Sequence, residues 1–174
     1  LSPPKAARAL NNIGEAVLNC LLPIVEDEFA KTHGRIPGSQ FATIAFGKMG
    51  GREMTPTSDL DLVFVYDVPE DAEASDGDKP LPPTQYFTRL GQRFINAISA
   101  PTAEGILYEV DMRLRPSGNS GPIAGSLEAF IQYHEDQAWT WERMALTRAR
   151  AITGSVDFKH QVDATIQGIL CRQS

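Results

Sequence analysis

The stretch that most constrains this chain is a glycine-rich turn, Gly47-Lys48-Met49-Gly50-Gly51, lying between two apolar runs. The first run, Phe41 to Phe46, reads as a buried strand that feeds the turn. The second follows within Ser58-Asp59-Leu60-Asp61-Leu62-Val63-Phe64-Val65-Tyr66, with Asp61 to Tyr66 as the next strand. A strand alternates its side chains, so Asp59 and Asp61 emerge on one face while Leu60 and Leu62 point to the other. Carboxylates side by side repel and raise each other's pKa. They are tolerated mainly where a divalent cation sits between them. With no Cys or His nearby, an oxygen-only ligand set favours a hard ion such as Mg²⁺. That chemistry suits phosphoryl or nucleotidyl transfer.

Two ions about 3.5–4 Å apart need a third anionic ligand. Asp111, in Ile106-Leu107-Tyr108-Glu109-Val110-Asp111-Met112, is the candidate. The apolar neighbours predict a central third strand, and Glu109 shares the Asp111 face. Asp111 can equally pair with Arg113 or Arg115, which follow it directly. Those two guanidinium groups suit phosphate oxygens, or serve to neutralise the acids, and the two roles can coexist. Gly47, Gly50 and Gly51 allow backbone N–H groups to wrap an anion, with Lys48 or Arg52 adding charge. Neither a Walker P-loop nor a GxGxxG motif is present.

A chain of 174 residues with 42% hydrophobic content suits a single folded domain, or one domain plus part of a neighbour. The net charge of −6 argues against a nucleic-acid footprint or an anionic membrane surface as partner. No apolar run reaches transmembrane length. Cys20 and Cys171 lie at opposite ends without metal-ligand spacing, as expected of reduced thiols in a cytoplasmic protein. The beginning, Leu1-Ser2-Pro3-Pro4-Lys5, is no signal peptide and lacks an initiator Met, so the chain reads as a piece of something longer.

Apolar spacing predicts a helix over residues 5–32, with Pro23 kinking or restarting it near Leu22. Residues 67–83 are acidic, proline-bearing and poor in large apolar groups, which predicts a solvated loop. Phe87, Leu90, Phe94 and Ile98 mark an amphipathic helix over 84–99. Residues 118–125 read as a loop, and Ser126 as the N-cap of a helix to about Gln137. A helix over roughly 139–149 should bury Trp139 and Trp141, and gather Glu142, Arg143, Arg148 and Arg150 into one polar network. A short extended stretch surrounds Ala151-Ile152, and a last helix covers 155–171. His33, His134 and His160 read as surface or capping residues.

Gly47-Lys48-Met49-Gly50-Gly51-Arg52-Glu53, Ser58-Asp59-Leu60-Asp61-Leu62, the run from Glu109 through Asp111 to Gly118, and Trp139-Thr140-Trp141-Glu142 together resemble one family. It is the bifunctional glutamine synthetase adenylyltransferase/adenylyl-removing enzymes, and the likeness covers roughly 41–153. The resemblance implies a mixed α/β fold of the DNA polymerase β nucleotidyltransferase type, a small mixed sheet flanked by helices. It implies a catalytic domain over 41–153, a helical segment over 1–40 packed on it, and the start of a further helical region over 154–174. Asp59, Asp61 and Asp111 are then the catalytic metal ligands for two Mg²⁺ ions. Gly47, Lys48, Gly50, Gly51, Ser58, Arg113 and Arg115 are the residues that hold ATP. The implied partner is glutamine synthetase, with a PII signal protein and glutamine acting through the full-length enzyme. One half of such enzymes adenylylates a tyrosine of the synthetase; the other removes AMP by phosphorolysis, giving ADP. Glu109, Ser117 and the 138–142 run match the adenylylating, C-terminal half, whereas Gly121-Pro122 is closer to the removing half. A degenerate module that binds nucleotide without turnover is the non-enzymatic alternative.

Overall fold

Strand alternation divides this molecule into two cores. The computed structural model describes residues 2–172; Leu1 of the expected 1–40 segment, and Gln173 and Ser174 of the expected 154–174 segment, lie outside the described residues. In chain order the elements are α1 (Pro3–His33), β1 (Gln40–Ala45), α2 (Gly47–Gly50), β2 (Leu60–Asp67), α3 (Pro83–Ile98), β3 (Pro101–Thr102), β4 (Gly105–Ile106), β5 (Val110–Asp111), β6 (Ala124–Ser126), α4 (Leu127–Asp136), α5 (Thr140–Ala145), β7 (Arg150–Thr153) and α6 (Val156–Cys171). The main sheet runs β5-β2-β1-β7, with β6 also on β2. β1 is antiparallel to β2 and β7, whereas β5 and β6 are parallel to β2. The architecture is a small mixed α/β sheet flanked by helices, consistent with the polymerase β-like nucleotidyltransferase fold.

Phe41, Ala45, Leu60, Leu62, Phe64 and Tyr66 face α1 and α3, where they meet Leu18, Leu22, Phe29, Phe87, Leu90 and Phe94. Ala42, Ile44, Val63 and Val65 face α4 and α6, packing with Phe130, Phe158, Val162 and Ile166. Each of the larger side chains among them, Val, Leu, Ile or Phe, contributes roughly 1.5–3 kcal/mol by leaving water. Cutting back a fully enclosed one such as Phe94 to alanine costs about 3–5 kcal/mol.

Several expectations are corrected. The helix α1 does not restart near Leu22 but continues past Pro23 as one element. The proline removes one N–H donor, but Leu18 and Leu22 on one side and Val25 and Phe29 on the other are all buried, so packing holds the helix together. The third strand is not central and does not span 106–112. Only Val110–Asp111 pairs with β2, at the sheet edge, while Ile106 and Leu107 are exposed beside the small β3–β4 hairpin. The 118–125 loop gives way to β6, because Ala124 to Ser126 adds to β2.

The 67–83 segment is pinned rather than simply solvated. Asp76 and Gly77 donate backbone bonds to the Arg35 and His33 carbonyls, and Lys79 to that of Thr32. Buried Ser75 accepts from the Leu81 amide. His33 itself is buried with Nδ1 2.7 Å from the Lys79 carbonyl, and His134 is buried against Phe130, so neither is a surface residue. The expected 139–149 helix is shorter: α5 ends at Ala145 and a 3₁₀ turn follows over Leu146–Arg148. Trp139 and Trp141 are 71% and 58% exposed, against the expectation that they are core.

Candidate active site

Asp61 shares the face of Val63 and Val65 but lies at the start of β2, and only partly buried. Asp59 stands two residues earlier, just before the strand, and is exposed. The intervening Leu60 is fully buried on the opposite side, as period-two alternation requires. β5 then brings Asp111 beside Asp61: Leu60 pairs with Val110 and Asp61 with Asp111 in a parallel register. The Leu60 amide extends the pairing to the Glu109 carbonyl at 2.9 Å. Residues in register on parallel strands point to the same face, so the strands bring the carboxylates together.

Electrostatics reports the same proximity. Burial first, and then the charges of Asp111 and Asp59, push the Asp61 carboxyl above its ordinary value, with Arg113 opposing. Asp111 moves the other way. Hydrogen bonds from Arg113 hold it low, Nε at 2.8 Å and Nη2 at 2.6 Å from Oδ2, with the Arg113 amide 2.9 Å from Oδ1. Among the described residues no group of three His, Cys, Asp or Glu is assembled to hold a metal ion; the Arg113 fork occupies Asp111, and Asp59 stands outside the strand. The donor set itself suits a hard cation: carboxylate oxygens only, one of them in a cluster that disfavours its own ionisation. The Arg113 side chain in the fork is 76% exposed, so solvent screens the pair and it adds little to stability.

The glycine turn folds as one helical turn, α2, with Gly47 at φ +56. A Cβ at Gly47 would run into Oδ2 of Asp61, so the turn lies directly on the acid. The Gly50 and Gly51 amides donate to the Phe46 and Gly47 carbonyls at 3.0 Å and close the turn. A Cβ on Gly50 would meet the Ala45 carbonyl oxygen at 2.6 Å, so that glycine serves close packing. First-turn amides have no intrahelical partner, which leaves Gly47 and Lys48 as the residues best placed to meet an anion. Lys48 is exposed.

Other expected residues have structural work. Ser58 closes a tight turn, its Oγ 2.9 Å from the Thr55 amide. Arg115 is buried and ties both ends of its loop, donating to the Met112 carbonyl at 2.9 Å and the Gly121 carbonyl at 3.1 Å. The expected Glu142 network is split. Glu142 accepts from the Tyr133 hydroxyl and the Trp139 amide, both at 2.8 Å. Arg148 pairs with Glu53. Arg150 instead reaches the Met49 and Gly50 carbonyls, both at 2.9 Å. No local pattern in the sequence predicts those bonds, although Arg150 stands where β7 begins.

A family model described as glutamate-ammonia ligase adenylyltransferase matches residues 4–165. The chain is 49% identical over 170 residues to the bifunctional glutamine synthetase adenylyltransferase/adenylyl-removing enzyme of Mesorhizobium japonicum, covering 98% of this chain. It is 52% identical over 166 residues to the enzyme of that name from Brucella suis, covering 95%, and 47% identical over 169 to that of Rhodopseudomonas palustris, covering 97%. The chain spans 17% of the length of each of these relatives. Among the described residues no helix is long and apolar enough to cross a membrane.

Proposed function

Because the chain belongs to the glutamate-ammonia ligase adenylyltransferase family, we propose that it catalyses nucleotidyl transfer, moving AMP from ATP to a tyrosine of glutamine synthetase. The observation that carries the reading is the in-register pairing of Asp61 with Asp111, with Asp59 beside them and the Gly47 turn against Asp61. Glu109, Ser117 and the 138–142 run favour the adenylylating half. Control by a PII signal protein and glutamine would act through the longer protein.

Asp59, Asp61 and Asp111 would hold the Mg²⁺ ions, which when bound neutralise phosphate charge and acidify the attacking hydroxyl. The first-turn amides of Gly47 and Lys48 donate to phosphate oxygens, and the Lys48 ammonium adds a charge. Arg113, once released from Asp111, offers its fork to the same oxygens. Arg115 keeps the loop that carries Arg113 in place. The tyrosine oxygen forms a bond to the α-phosphorus in line with the departing pyrophosphate.

The test incubates the protein with α-labelled ATP and unmodified glutamine synthetase, or with phosphate and adenylylated synthetase. Label should pass to the synthetase in the first mixture, and Asp59→Asn with Asp61→Asn should lower it by more than about a thousandfold. Undiminished labelling by the double variant sinks the assignment. ADP release confined to the second mixture transfers it to the removing half.

A further inference from the structure

We propose that Arg150, anchored by Asn11 and Glu15 of α1, is a positioning residue for the Gly47–Gly51 turn and, through Gly47, for Asp61. The inference rests on the nucleotidyl-transfer reading and extends it to a helix that lies outside the expected catalytic segment.

Arg150 opens β7, opposite Ala45 at the end of β1, so its backbone is fixed where β1 enters the turn. Its side chain is 16% exposed, and its guanidinium is fully engaged. Nε donates to the Gly50 carbonyl at 2.9 Å; Nη2 donates to the Met49 carbonyl at 2.9 Å and to Asn11 Oδ1 at 3.1 Å. Nη1 pairs with Glu15, which also accepts from Asn11 Nδ2 at 3.1 Å. Asn11 is fully buried.

The carbonyls so held are those at the C-terminal end of α2. Cations are favoured there, and fixing that end fixes the direction in which the first-turn amides point. At the other end Gly47 abuts the Asp61 carboxylate, and the Phe46 amide donates to the Asp61 carbonyl at 2.9 Å. A continuous path therefore runs from α1 through Arg150 and α2 to the acid. α1 supports the turn a second way, since a Cβ on Gly14 would meet the Met49 methyl at 3.2 Å. Only a planar fork reaches two carbonyls, an amide oxygen and a carboxylate at once; a lysine ammonium is a single point charge.

The test is Arg150→Lys in the full chain, read by hydrogen exchange and by AMP transfer at varied ATP. Amides over 46–53 should exchange about tenfold faster while those of α3 and α6 keep their wild-type rates. KM for ATP should rise about tenfold and kcat should fall by less than about threefold. Glu15→Gln, which keeps the carbonyl bonds, should show the same pattern at about a third of the size, and it decides the matter if Arg150→Lys does not fold. Unchanged exchange over 46–53, faster exchange spread evenly over the chain, or a faster turn with an unaltered KM each overturns the proposal. If the wild-type chain transfers no AMP, the functional reading fails, and the exchange measurement alone judges whether Arg150 positions the turn.

Discussion

The two sides of the site are built by opposite means. The turn side, residues 47–51, rests on a largely buried arginine that bonds backbone carbonyls and anchors to a fully enclosed asparagine. The acid side hangs on β5, two residues at a sheet edge, and its Asp111 is held by an arginine that is three-quarters exposed. Buried, multiply bonded groups are costly to move, whereas an exposed ion pair is screened by solvent and worth little. The difference teaches that, under the proposed function, the phosphate side would be built before any ligand arrives, while the acid cluster would be completed by what binds it.

The sharpest way to break that contrast is Gly47→Ala. The methyl group would enter the Asp61 carboxylate, at a φ of +56 that side chains rarely adopt. AMP transfer should fall at least several hundredfold, since displacing a reacting group by about 1 Å already costs about a hundredfold. Steady-state transfer rates check it, and near-normal rates would show that the turn is not rigid after all.

A second measurement marks where the whole scaffold gives way, so that local looseness is not confused with unfolding. Burial lowers the pKa of His134 to about 4, with Glu142 opposing the shift. The unfolded state therefore binds the proton more readily. Stability from this group is complete above the unfolded value near 6.5 and is lost as pH falls toward 4. Urea unfolding at pH 7 and 4.5 should show a loss that His134→Leu reduces by about 2 kcal/mol. An equal pH loss in the variant would contradict it.

The smallest effect sharpens the acid side. Arg113→Ala frees Asp111, so Mn²⁺ titrated calorimetrically should bind up to about fivefold more tightly, the most an exposed pair can withhold. Weaker Mn²⁺ binding would mean that Arg113 organises the carboxylate rather than competing for it.

The parts legible in the sequence are those written in local period. The alternation of Asp61 with Leu60 and Leu62, the apolar stripe of α3, and the Ser126 cap, which accepts from the Ala129 amide at 3.1 Å, all emerge where residue spacing put them. What escaped depends on distant partners. β5 and β6 join β2 in parallel from far along the chain, and no local pattern tells a two-residue edge strand from a longer central one. Ile106 and Leu107 were apolar enough to mislead. Bonds from side chains to backbone, such as those of Arg150, Arg115 and Ser75, leave no periodic trace. The exposed tryptophans on α5 defy composition-based expectation for a similar reason: whether a neighbour covers them is decided elsewhere in the chain.

One contact far from the acids carries a practical lesson. Gly34 and Gly77 meet backbone to backbone, so that a side chain on either would strike the other's main chain. A saturation scan should therefore find Gly77 among the least replaceable positions of the acidic segment. Tags or extra residues would be better spliced in around Glu70 to Glu73, away from that seam.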